Sequence, residues 1–196
     1  NYGFVGAGGA HFMMPTAGCG FIGAGQLHKL CGQDSSIVGG DKNIIQNNSK
    51  CSFIGGGKEN VSLSAFSTIA GGCANQSKSS NASIGGGLGN LASGSCSTIA
   101  GGFSGVASGN DSVVVGGNTN IASGSASFVG GGLYNTASNT VNFVGGGCKN
   151  LVSGVFSTIV GGASSQVTGT TSFIGGGYKN DITGGSSGIL AGSDNK

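Results

Sequence analysis

From Ser52 onward, one pattern of apolar, polar and glycine positions returns every fifteen residues. Its copies start at Ser52, Ser67, Ala82, Ser97, Ser112, Ser127, Asn142, Ser157, Ser172 and Ser187. Earlier copies start at Gly3, Gly20 and Ser35, with steps of 17, 15 and 17, so two of them carry two extra residues. A fixed short period means stacked coils rather than a globular core. The expected fold class is therefore all-β: a β-solenoid or parallel β-roll of about thirteen coils. It forms a single domain over 1–196, with irregular coils in 1–51 and regular ones in 52–196. Each copy is termed a rung, and its positions are numbered 1 to 15.

Positions 1–5 read as a short strand. Position 3 is Ile or Val in every rung and supplies the coil core: Ile54, Ile69, Ile84, Ile99, Val114, Val129, Val144, Ile159 and Ile174 in the regular region. Side chains alternate along a strand, so positions 1, 3 and 5 are expected to share the interior face. Position 6 is always glycine, as at Gly57, Gly72, Gly87, Gly102, Gly117, Gly132, Gly147, Gly162 and Gly177, whereas position 5 accepts Ala7, Ala24 and Ala191. A structural corner is expected at position 6, where φ is positive or no Cβ fits. The asparagines at position 9 (Asn60, Asn75, Asn135 and others) predict a second corner, since Asn tolerates the left-handed region. Gly or Asn at position 13 (Gly94, Gly109, Asn139) predicts a third.

Positions 2 and 4 trade volume. Phe53, Phe128, Phe143 and Phe173 accompany Gly55, Gly130, Gly145 and Gly175, whereas Val113 and Thr158 accompany Val115 and Val160. Close-packed surfaces hold their volume constant. This face is therefore expected to be an interface with other copies, centred on Phe53, Phe128, Phe143, Phe173, Val115 and Val160. A closed symmetric oligomer is the simplest arrangement.

Composition narrows the picture. Glycine supplies 45 of 196 residues, yet the glycines are in register and the chain is neither strongly polar nor strongly charged, which argues against disorder. A net charge of +2, carried by scattered Lys with no Arg, excludes nucleic acid as a partner. No apolar run approaches the ~20 residues of a membrane span, so no membrane insertion is expected. The first residue is Asn, and a piece of a longer protein is expected. Cys19, Cys51 and Cys96 share position 15 two or three rungs apart, so ~10 Å or more would separate them. That is too far for a disulfide. Free thiols packed as small apolar residues fit synthesis and assembly in a reducing compartment.

The repeat S-[FT]-[IV]-x-G-G-x-x-N-x-A-S-G-x-x resembles the head repeats of YadA-type trimeric autotransporter adhesins and related repeats in tail-fibre-like proteins of phages and large viruses. The resemblance covers 52–195 well and the first fifty residues loosely. It implies a left-handed parallel β-roll, three chains wound as a homotrimer, and a role in attachment. It carries over no individual binding residue.

Catalytic chemistry is poorly provided for. Glu59 is the sole glutamate and only His11 and His28 are histidines, so no catalytic residue and no enzyme is expected. The glycine runs lack the phosphate-loop and dinucleotide motifs, and the aspartates follow no calcium-binding period. His11 and His28 both fall at position 9 on adjacent rungs; with Cys19 and Cys31 nearby they match no zinc spacing, and a plain stacked ladder is expected. No cofactor and no metal is assigned. The N-x-S sequons at Asn47, Asn60, Asn75, Asn81 and Asn110 matter only on a secretory route. The function expected is a structural surface-attachment module, a rigid trimeric fibre, adhesin head or stalk segment exposed outside the cell or on a virion. Its partner would be a host-surface receptor or glycan. The alternatives are a self-stacking filament subunit and an ice-binding solenoid using Thr68, Thr98 and Thr158.

Overall fold

The computed structural model describes residues 3–196; residues 1 and 2 of the expected domain lie outside the described residues. Two parallel sheets run the length of the coil. A thirteen-stranded sheet is built from two-residue strands at positions 2 and 3, from Phe4–Val5 to Gly188–Ile189. A twelve-stranded sheet is built from positions 10 and 11, from Phe12–Met13 to Asp181–Ile182. Isolated bridges at position 7, such as Lys58 to Cys73, link the rungs along a third line. The rungs are in register, with Ile54 over Ile69 and Ile84 over Ile99. At ~4.8 Å per step the stack is about 60 Å long.

The core is two facing columns. Position 3 supplies one, and Ile54 through Ile174 are fully buried as expected. Position 11 supplies the other, with Ala92, Ala107, Ala122, Val152, Val167 and Ile182. Only small or medium residues fit opposite a β-branched column in so narrow a coil. Where position 11 is Ser62, its hydroxyl pairs with that of Ser67 at 2.6 Å, so the buried polar atom is satisfied. The coil is wider near the N-terminus. Both two-residue insertions fall at the same corner, in rungs 1 and 3, and position 11 there is Met13, Leu30 and Ile45, with Ala17 and Ser49 filling the added space.

Backbone hydrogen bonds explain the corners. At positions 2, 4, 7, 10 and 12 the N–H donates to the following rung, as from Phe53 to Ser67 and from Lys58 to Gly72. At positions 8 and 15 the direction reverses: Glu59 donates back to Asp41, and Phe66 back to Lys50. Turning one peptide over against its neighbours requires a residue with positive φ. That residue is Glu59 (φ 58°) or Tyr134 (φ 56°) at position 8, and Phe66 (φ 57°) or Val141 (φ 53°) at position 15. The expected left-handed residues at positions 9 and 13 are therefore each displaced, by one and two residues. The glycines at position 13 are small for another reason, since a Cβ on Gly94 or Gly109 would overlap the carbonyl oxygen of the next rung.

The corner expected at position 6 is present, with φ from 84° at Gly117 to 125° at Gly192 in the regular rungs. Position 5 differs from expectation. It does not point into the coil: a Cβ at Gly71, Gly86, Gly101, Gly116, Gly161 or Gly176 would meet nothing within 4 Å. Gly87 combines φ 88° with overlap of an added Cβ onto the Gly102 carbonyl. Gly87→Ala is expected to lower stability by about 1–3 kcal/mol, and Gly86→Ala by less than about 0.5 kcal/mol. Equal shifts in denaturant midpoint for the two variants would contradict this assignment.

Candidate functional site

Inside the coil, position 9 forms a polar spine. Asn60 donates from Nδ2 to the Gly56 carbonyl in its own rung at 2.9 Å and to the Gly72 carbonyl in the next at 3.0 Å. Its Oδ1 accepts the Asn75 N–H at 3.0 Å. The same three bonds recur at Asn43, Asn75, Asn135, Asn150 and Asn180, and all six are buried. Each Asn thus supplies, from inside, partners for its own rung's position 5 carbonyl and the next rung's position 9 N–H, and adds a second donor to a position 6 carbonyl that the ladder already serves. Gly105 interrupts the spine, so no side chain there donates to the Gly101 or Gly117 carbonyl or accepts the Asn120 N–H.

His28 continues the spine with a different side chain. Its Nε2 meets the Ala24 carbonyl at 3.1 Å and its Nδ1 accepts the Asn43 N–H at 3.2 Å, so the ring is neutral with the proton on Nε2. His11 stacks on it, centroids 5.1 Å apart and planes 7° apart, as the adjacent-rung ladder predicts. Burial holds the His28 pKa below 6.5, and the neighbouring His11 charge acts in the same direction. The Ala24 hydrogen bond and the Asp41 carboxylate oppose them without reversing the shift. The folded-state pKa is the depressed one, so the unfolded chain binds the proton first as the solution is acidified. The contribution of His28 is complete above pH 6.5 and is lost as the pH falls toward its folded-state value. Hydrogen exchange at the Asn43 amide slows intrinsically from pH 7.5 to 5, and it should slow less than that trend, leaving an excess of exchange at the lower pH. His28→Asn should remove that excess; an excess persisting in the variant would place its origin elsewhere.

Outside the coil, positions 1–6 contain no charged residue in any rung. The expected interface side chains all lie on this outward face. Phe53, Phe143, Phe173, Val115 and Val160 are between 38% and 49% exposed, and Phe128 is half-buried. In the phenylalanine rungs the volume exchange between positions 2 and 4 closes within the rung, whereas Ser83 and Gly85 are both small and make no exchange. The Phe53 ring lies over Gly55, where an added Cβ would come within 3.2 Å of Phe53 Cε1, and Gly130 and Gly145 stand in the same relation to Phe128 and Phe143 at 3.3 Å. Phe128 and Phe143 also stack, with centroids 5.1 Å apart. The exchange therefore requires no second chain, a correction to the sequence argument. Thr68, Thr98 and Thr158 lie on the same face, separated by phenylalanine and valine.

The six cysteines are free. Only Cys31 is buried; Cys19, Cys51 and Cys96 are exposed at the corner rather than packed. Cys51 and Cys96 take positive φ, which turns their side chains outward with that corner. Among the described residues no cluster of three or more His, Cys, Asp or Glu could hold a metal, and no helix is long and apolar enough to cross a membrane.

The polar spine at position 9 and the charge-free face at positions 1–6 run side by side along the coil. No protein-family model and no curated protein matches the sequence.

Proposed function

We propose that this chain is a rigid rod segment of a surface fibre, a homotrimeric attachment module whose copies pack through the charge-free face. The observation that carries this reading is the absence of any charged residue from positions 1–6 over thirteen rungs, although the outward side chains among them include exposed phenylalanines and valines. All charges fall on the remaining positions, such as Lys58, Glu59, Lys78 and Asp181. A strip about 60 Å long and ~10 Å wide gives about 600 Å² per chain. That is the upper limit for the largest apolar patch of a typical monomer and approaches the ~800 Å² per partner of a stable complex.

Position 5 supports the same conclusion independently. Glycine occupies it in every rung from Gly39 to Gly176, yet in most of them an added Cβ would meet nothing in the chain and φ is not positive. A second backbone approaching closely from outside supplies the missing reason for smallness. A rod of this kind serves attachment by holding binding surfaces away from the cell or virion that carries it.

Electron microscopy of the purified chain tests this reading. Discrete rods about 60 Å long and wider than one coil are expected. Filaments of indefinite length would favour the self-stacking subunit instead, and single-coil particles would remove the assembly.

A further inference from the structure

The irregular N-terminal coils carry a feature that the regular rungs lack. Because the two insertions fall at the same corner of rungs 1 and 3, they stand on either side of rung 2, which turns there without one. Between them lies an open groove of about 440 Å³ lined by Phe12, Met14, Lys29, Cys31, Gln46 and Asn47. Its depth has a clear cause. Met14 begins the first wall, which continues as the 3₁₀ turn Pro15–Ala17, and Gln46 and Asn47 begin the second, closed by the Ser49 N–H donating to the Gln46 carbonyl at 3.0 Å. Cys31, between the walls, is 4% exposed and forms the floor.

The lining is chemically mixed in a particular way. Phe12 is 53% exposed and presents an aromatic face on the outer surface of the second sheet. The Lys29 ammonium is held 5.9 Å from the centre of that ring. No carboxylate lines the groove, and the one ion pair among the described residues, Lys58 with Glu59, is elsewhere. Gln46 and Asn47 are exposed and bring carboxamides that both donate and accept. An aromatic face suits a ring with C–H groups on one side, carboxamides suit neighbouring hydroxyls, and an unpaired ammonium suits one negative charge. The groove spans two rung steps, about 10 Å, which holds one or two small rings and only about three residues of an extended peptide. The volume is within the usual range for small-molecule sites.

We propose that this groove binds a sugar bearing a carboxylate, with the sugar ring on Phe12, its carboxylate on Lys29 and its hydroxyls on Gln46 and Asn47. The proposal rests on the attachment reading only for where such a sugar is met, at the end of a glycan on another surface. The groove itself is contained within one chain and needs no partner copy.

The test uses the full chain with methyl-labelled methionines, titrated with sialyllactose, glucuronic acid and lactose and read from the Met14 methyl resonance. Both acidic sugars are expected to shift Met14, with lactose at least about tenfold weaker. Lys29→Gln should reduce the acidic sugars to the lactose level, and Lys29→Arg should largely restore them. Phe12→Ser should abolish all binding while leaving the melting transition of the regular rungs unchanged. No Met14 shift at millimolar acidic sugar, equal binding of lactose, or indifference to Lys29→Gln would each overturn the proposal. Particle mass, measured on the same samples, separates the two readings. A monomer that binds acidic sugar removes the assembly and leaves the groove, and a trimer that does not bind removes the groove alone.

Discussion

Asn135→Ala is expected to destabilise the rod by about 2–6 kcal/mol, through lost hydrogen bonds more than through lost apolar contact. The magnitude follows from which backbone groups lose their only partner. Asn135 donates to the Gly131 carbonyl at 2.8 Å and to the Gly147 carbonyl at 2.9 Å, and accepts the Asn150 N–H at 3.0 Å. The Gly147 carbonyl still receives the Leu133 N–H, so it stays satisfied. The Gly131 carbonyl and the Asn150 N–H keep nothing, and each buried orphan costs about 1–3 kcal/mol. The chain contains the reverse experiment. Gly105 leaves the spine open, its φ is not positive, and the atoms nearest an added Cβ are Asn90 Oδ1 at 3.1 Å and the core methyls of Val114 and Ile99 at 3.5 and 3.8 Å, with no backbone atom among them. In the intact spine the same Oδ1 already approaches the next Asn through its N–H, so Gly105→Asn fits. It should stabilise the rod by about 1–2 kcal/mol, through restored hydrogen bonds and reduced unfolded-state freedom. Denaturant unfolding of the two variants checks both signs. A neutral Asn135→Ala would mean that the spine is decorative.

The second large effect concerns assembly. Phe143→Glu and Val160→Glu place carboxylates on the charge-free face at side chains 38% and 49% exposed in the single chain. Burying an ion without a partner costs several kcal/mol, so each variant should weaken association by about a thousandfold or more while each coil stays folded. Ser164→Glu, at the left-handed position 8 on another side of the coil, should change neither. Loss of circular-dichroism signal with loss of assembly would show that the face is needed for folding. Unchanged assembly would show that it is not the interface. The pair Gly145→Val and Phe143→Thr should couple even in a dissociated chain, because the Phe143 ring lies on Gly145. Recovery in the double variant should be partial, since the new Cβ still overlaps the Val160 carbonyl.

Much of this architecture is legible in the sequence because each rung must solve the same packing problem. The buried column at position 3 admits only Ile and Val, and the backbone overlap at position 6 admits only glycine, so both show as fixed letters. The left-handed residues at positions 8 and 15 leave no such trace. They are set by the direction of the backbone ladder, which imposes positive φ on Lys149, Val141 and Phe156 as well as on Asn81, whatever each residue's own preference. The Asn spine shows in the sequence as a period that suggests a corner, because the tolerance of Asn for positive φ is a property of its backbone while its role here lies in its carboxamide. Position 11 was hidden by its modest size, since Ser62 and Ala92 look like surface residues until a narrow coil closes over them. The exchange between Phe143 and Gly145 reads as close packing in the sequence, and the ring lying on the glycine supplies that packing within one rung, whatever covers the face from outside. A sequence gives the volumes, and only the direction of the ring shows that the glycine beneath it belongs to the same rung.

The central claim is that the charge-free face is covered by other copies of this chain. Native mass measurement of the purified chain at micromolar concentration tests it most directly. A single species at three times the 18.6 kDa chain mass is expected, and a species at 18.6 kDa throughout that range would leave the face uncovered.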